Sequence, residues 1–253
     1  MIRLFRKIRQ QLLFETKYPI YLLYAGGEIL LVVVGILFAL QIDNWNEKKN
    51  IRNIEQQYLL ALKEEFSFNK GELESIMNRN KLNFDYALKI LDNTGPEKPE
   101  LTDEEFGGLL TNSLSFETQF DPNQGVIEEI ISSGKLGIFS SKDLKFALSS
   151  WSGILYRVRL QEQELLSMRS RTIEMVRNQA NLRKAIGAVI GDMGIKQTKF
   201  EQGNLHLLKS VAFDGHMAGF ATMSFALNNT HYPQLVEEID KILFLIDDEI
   251  IEN

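Results

Sequence analysis

Ile20-Tyr-Leu-Leu-Tyr-Ala-Gly-Gly-Glu-Ile-Leu-Leu-Val-Val-Val-Gly-Ile-Leu-Phe-Ala-Leu-Gln-Ile42 carries a single charged residue, Glu28. As a helix rising 1.5 Å per residue, the run covers about 30 Å, the thickness of a hydrocarbon core. Soluble core helices seldom stay apolar on every face for so long. A cleaved signal peptide would have an apolar core of about 7–15 residues and then a small-x-small site. This run is longer, and Leu37-Phe38-Ala39 is a weak cleavage sequence. The expectation is a retained membrane helix over residues 18–43, after a cytoplasmic basic segment, 1–17, and before a helical domain beyond the membrane, 44–253.

Charge sets the expected orientation. The 253-residue chain has a formal net charge of −6, unevenly divided. Residues 1–42 hold five basic side chains against two acidic ones, leaving +3 there and −9 in the remainder. Arg3, Arg6, Lys7, Arg9 and Lys17 precede the apolar run; Lys48, Lys49 and Arg52 follow it. The positive-inside bias places the amino end in the cytoplasm and the body on the other side of the bilayer. Tyr18, Tyr21 and Tyr24 suit one headgroup interface and Trp45 the other. Ile2, Phe5, Ile8 and Leu12 recur at helical spacing among the basic residues, as in an amphipathic helix lying on an anionic leaflet. A body of net −9 is a poor binder of phosphate backbones, so nucleic acid is not an expected partner.

Within the apolar run, Ala25, Glu28, Val32, Gly35, Ala39 and Ile42 fall on one helix face. Gly35 and Ala39 form a small-xxx-small pair, which lets helix backbones approach closely in lipid. A carboxylate near the bilayer midplane costs about 2.5–3.5 kcal/mol on insertion scales and therefore seeks protein or water. The expectation is a homo-oligomer meeting along this stripe, with Glu28 protonated or hydrogen-bonded inside it. A proton relay through Glu28 is the alternative.

Beyond Trp45 the pattern is helical throughout. Ile51, Ile54, Tyr58, Leu62, Phe66, Leu73, Ile76, Phe84, Ala87 and Leu91 keep three- and four-residue steps. They predict a helix over 44–92 that runs on from the membrane helix and stops at Asn93-Thr-Gly-Pro96. Thr102 and Glu105 form a capping box. A short helix over 126–132 follows the turn Phe120–Gly125. Ser141 caps a long helix over 142–181, and short helices are expected at 205–212 and 216–228. Pro233 opens a final helix. No segment alternates strongly enough to predict a strand. The fold class is all-α, a membrane helix continuing into a bundle of three main antiparallel helices, with short helices closing one end.

Chemical motifs are sparse. The chain has no cysteine, so disulfides and thiol chemistry are excluded. His206, His216 and His231 show no metal-ligand spacing, and no cofactor is expected. The acid pairs Glu64-Glu65, Asp103-Glu104 and Glu128-Glu129 read as solvated faces, because neighbours on a helix point about 100° apart. Phe146, Trp151 and Tyr156 on one helix read as core, with a ligand groove as the alternative.

Phe5-Arg-Lys-Ile-Arg9, Tyr21-Leu-Leu-Tyr-Ala25, Gly27-Glu-Ile29, Gly35-Ile-Leu37, Ala39-Leu-Gln-Ile42 and Asn44-Trp-Asn-Glu47 together make a specific string. Further on stand Ile127-Glu-Glu-Ile130 and Ser132-Ser-Gly-Lys-Leu136. This pattern resembles an uncharacterised, domain-of-unknown-function family of small anchored proteins, met mainly in Bacteroidetes-type Gram-negative bacteria. The resemblance implies an inner-membrane protein facing the periplasm. It supplies no activity, substrate or catalytic residue. The functional expectation is a non-enzymatic oligomeric scaffold or sensor that meets an envelope partner. The alternatives are an ion-coupled stator-like subunit using Glu28, and an envelope hydrolase using His206, His216 or Asp214.

Overall fold

The computed structural model describes residues 18–187, 194, 196 and 198–251. Every regular element among them is helical, as the periodicity predicts. The chain divides into two compact units, Met1–Glu55 and Gln56–Asn253.

Helix α1, Tyr18–Leu91, contributes to both units. Its burial pattern changes along its length. Residues 26–51 of the first unit are exposed on every face. From Glu55 onward burial becomes periodic, through Leu59, Leu62, Phe66, Asn69, Leu73, Asn80, Asn83, Ala87 and Ile90. This is the single-stripe pattern of a helix packed on one side. The helix ends one residue before the expected stop. There Gly95 takes a positive φ of 149° and donates its N–H to the Leu208 carbonyl at 2.8 Å.

The second unit is built on three rods. The first is α1 from Gln56. The second is α4, Lys142–Gln179, N-capped by Ser141, whose hydroxyl accepts from the Leu144 N–H. The third is composite: α6, Val211–Ala226, a π-helical turn, Leu227–His231, and α7, Tyr232–Glu249, follow one another without a break. Paired residues give the directions. Lys63 meets Asp247 and Lys70 meets Asp240, so α1 and α7 are antiparallel. Met168 lies against Gly219 and Thr172 against His216, so α4 and α6 are antiparallel too. The expected helix at 216–228 therefore starts five residues earlier, because Ser210 caps it through the Phe213 N–H. The segment expected at 205–212 is a 3-10 turn, Leu205–Lys209.

Shorter helices complete the unit. These are α2, Asp103–Leu114, α3, Gly125–Ser132, and α5, Leu182–Gly187. The Thr102–Glu105 capping box is formed as the sequence predicts. Gly107 lets α2 approach α5 closely: a Cβ there would stand 3.0 Å from the Ala185 Cα.

The core runs between the rods. Phe66 and Trp151 meet edge to face with centroids 5.1 Å apart, and Phe106 meets Phe213 in the same way at 5.9 Å. Such pairs add about 0.5–1.5 kcal/mol beyond area burial. Of the aromatic trio on α4, only Trp151 is core. Phe146 and Tyr156 are exposed, because their positions fall on the face turned away from the other rods.

Candidate functional site

Two features stand out, one in each unit. The first is the apolar stretch. α1 is long and apolar enough to cross a membrane, and none of that apolar window is buried. Val32 and Ile42 are more than half exposed, and Glu28, Gly35 and Ala39 are also on the surface; Ala25 is half-buried. Their three- and four-residue steps put all six on one face of α1. A Cβ built on Gly35 meets nothing within 4 Å among the described residues. Trp45 is exposed, and the Lys49 ammonium one turn on sits 5.8 Å from its ring centroid. Arg3, Arg6, Lys7, Arg9 and Lys17 lie outside the described residues, as do the side chains of Tyr18 and Tyr21.

The second feature is a polar seam within the bundle. Residues 115–124, between α2 and α3, form no regular structure. Their burial alternates: Thr118, Phe120 and Pro122 point inward while Glu117, Gln119 and Asp121 face out. This is an extended chain with no neighbouring strand, so its backbone groups need partners from side chains. The helices supply them. Glu162 of α4 accepts the Phe120 N–H at 2.8 Å. Asn69 of α1 makes two bonds to the Asn123 backbone, at 2.7 and 2.8 Å. Asn83 donates to the Phe116 carbonyl, and Arg169 to the Leu114 carbonyl at the end of α2. Glu65 accepts the N–H groups of Val126 and Ile127, the otherwise orphaned donors that open α3.

Asn80 ties the seam to the third rod. It donates to the Ser224 carbonyl at 2.9 Å and to Asn228 at 2.8 Å, and Asn228 donates to the Met77 carbonyl. The π-helical turn holds Asn228 at this contact. Tyr232, opening α7, donates its hydroxyl to Glu162 at 2.9 Å. Burial raises both carboxyl groups, Glu65 and Glu162, above their ordinary value, although the hydrogen bonds each accepts oppose it. Tyr232 is pushed far up by burial and by the Glu162 charge, so it is a hydrogen-bond donor at any working pH.

Glu65 is thus not part of a solvated face. Nor is Asp103, which accepts the Asn204 N–H. The 100° between helix neighbours argues against an acid pair but not against burial of one member; what draws each in is a non-helical backbone distant in sequence. One sequence signal pointed to Glu162: Leu155, Val158, Glu162 and Leu165 continue the apolar stripe of α4 at steps of three and four, with a carboxylate in a core position.

His206 has Nε2 3.0 Å from the Gln179 carbonyl and Nδ1 3.2 Å from the Gly203 carbonyl, and a neutral ring donates to one of the two. Asp214 accepts from the Thr94 hydroxyl at 2.5 Å. Among the described residues no three His, Asp or Glu side chains are grouped to hold a metal ion.

A family model matches residues 28–182, more than half of the chain. The chain belongs to DUF6090, a family of unknown function. The DUF6090 match takes in Glu28 and the stripe after it, the extended segment with its partners Glu65, Asn69 and Glu162, and the whole of α4. Helices α6 and α7 lie outside it. No curated protein and no solved structure matches the chain.

Proposed function

We propose that this DUF6090 protein is a single-pass, non-enzymatic protein of a bacterial inner membrane, an oligomeric scaffold or sensor with its helical domain in the periplasm. The observation that carries the reading is the contrast between the two units. Residues 29–42 put apolar side chains and no charge on every face of α1, all exposed, a surface that water penalises and lipid accepts. In the second unit the buried carboxylates Glu65 and Glu162 and the buried asparagines are bonded to the protein's own backbone, the arrangement of a structural domain. The excess of basic residues ahead of the apolar stretch supports an amino end in the cytoplasm. The stripe of Ala25, Val32, Gly35, Ala39 and Ile42 is the face along which copies would pack, with an envelope protein as a further partner of the domain.

The test has three readouts. The full-length chain stays in the membrane pellet after an alkaline carbonate wash and leaves it in detergent. External protease reaches the domain only from the periplasmic side. Native mass measurement in mild detergent shows more than one copy, and Gly35→Leu with Ala39→Leu reduces that number. Release by carbonate with residues 1–43 intact refutes the anchor. A monomer in every detergent refutes the packing face.

Glu28 favours a second reading, an ion-coupled subunit, because a carboxylate lies within the apolar stretch and inside the family match. Glu28→Gln separates the two. Assembly survives it under the scaffold reading; an ion-driven activity does not survive it under the other.

A further inference from the structure

The outward face of the extended segment borders a cleft of about 330 Å³, lined by Ile76 and Arg79 of α1, Glu117, Gln119 and Asp121 of the segment, and Arg159 of α4. Extended backbone turns alternate side chains to the same side, which is why residues 117, 119 and 121 face it together. The cationic wall has donors to spare. The Arg159 Nη1 is buried beside Glu162, 3.5 Å from its Oε2, so Nη2 is the end of this guanidinium left for the cleft. The Arg159 Nη2 reaches Asp121 only at 3.5 Å. Arg79 is exposed and has no hydrogen bond or ion pair among the described residues. A guanidinium carries five donors in a planar fork suited to a carboxylate.

The anionic wall is equally underused. Asp121 is 93% exposed and has that single long contact, and Glu117 is exposed with one bond to Arg169 at 3.3 Å. The lining is therefore balanced, two guanidiniums against two carboxylates. A simple anion would meet Glu117 and Asp121, and a simple cation would meet Arg79 and Arg159. A molecule carrying both signs satisfies both walls. The volume suits a molecule of amino-acid size, and Ile76 offers an apolar contact for its side chain.

We infer that the cleft between Arg79, Arg159 and the Glu117–Asp121 face binds a small zwitterion, an α-amino acid, with its carboxylate on the two arginines and its ammonium on the two acids. The inference goes beyond the membrane reading and does not depend on it, since every residue involved lies within the bundle.

The test is calorimetric titration of the full-length chain in mild detergent with each of the common L-amino acids, with acetate and methylammonium as single-charge controls. At least one neutral amino acid binds saturably, about tenfold or more tighter than either control, equivalent to about 1.4 kcal/mol. Arg79→Gln and Asp121→Asn, both exposed positions, each weaken that binding at least tenfold and leave the unfolding temperature of the free protein unchanged. Absence of saturable binding by every amino acid up to about 10 mM overturns the inference. So does acetate binding as tightly as the best amino acid, or affinity untouched by both substitutions.

Discussion

Replacing Glu162 by alanine removes the acceptor on which the polar seam converges. Two buried donors lose their partner, the Phe120 N–H at 2.8 Å and the Tyr232 hydroxyl at 2.9 Å. An orphaned buried donor costs about 1–3 kcal/mol. Phe120 N–H has no other acceptor among the described residues, so its cost falls within the full range. Tyr232 keeps a longer bond to the Thr118 carbonyl at 3.4 Å, which places its cost at the lower end. The truncation also leaves a void in the core. Against these stands relief: burial disfavours the Glu162 carboxylate, and removing it removes that penalty. The Arg159 Nη1, buried 3.5 Å from the Glu162 carboxylate, loses its counter-charge, which adds to the cost. The net expectation is a loss of about 2–4 kcal/mol. For a domain of this size that lowers Tm by roughly 4–16 °C. Denaturant unfolding of the full-length chain in mild detergent, followed by helical circular dichroism, measures it. A double-mutant cycle with Tyr232→Phe sharpens the result, because the tyrosine change should cost about 1 kcal/mol alone and close to nothing once Glu162 is gone. Strict additivity of the two, or an alanine variant within about 0.5 kcal/mol of wild type, refutes the assignment of Glu162 as the organising acceptor.

Stability should also depend on pH with a maximum on the acid side. Burial holds Glu65 and Glu162 above the ordinary 4.5, so the folded state binds their protons more tightly. Their contribution is complete below 4.5 and is lost as pH rises through the raised folded-state values. Hydrogen bonds hold Glu105 and Glu129 below 4.5, so their contribution is present above it and is lost as pH falls through the lowered values. Tm should therefore rise as pH falls through the raised values of Glu65 and Glu162 and drop again as it falls through the lowered values of Glu105 and Glu129, and Glu65→Gln with Glu162→Gln should flatten the first limb. A Tm that falls steadily from pH 7 downward contradicts this assignment. Thr102→Ala breaks the capping box of α2 and should cost about 1 kcal/mol, read from the shift in denaturation midpoint. Gly107→Leu forces a side chain against Ala185 and should cost about 1–3 kcal/mol, whereas Gly153→Ala, where a Cβ meets nothing within 4 Å, should be neutral or stabilising.

The features legible in the sequence are those settled within a few residues. Thr102 with Glu105, Ser141 with Leu144 and Pro233 at the start of α7 act over one helical turn, so helix starts followed from local pattern. The unbroken apolar run was legible for the same reason: length and composition alone decide whether a helix can span about 30 Å of hydrocarbon. Tertiary structure decided which polar residues are structural. Glu65 acts on Val126 and Ile127, Asn80 on Ser224, and Glu162 on both Phe120 and Tyr232, partners 42 to 144 residues away in sequence. Tertiary packing also turned Trp151 inward while leaving Phe146 and Tyr156 exposed, and joined α6 to α7 through a π-helical turn that holds Asn228 against Asn80. The physical reason is common to all of these. Hydrogen bonding within a helix is satisfied locally and marks the sequence with a period. An extended segment threaded between helices must take its partners from wherever the fold brings them, and no spacing along the chain encodes that.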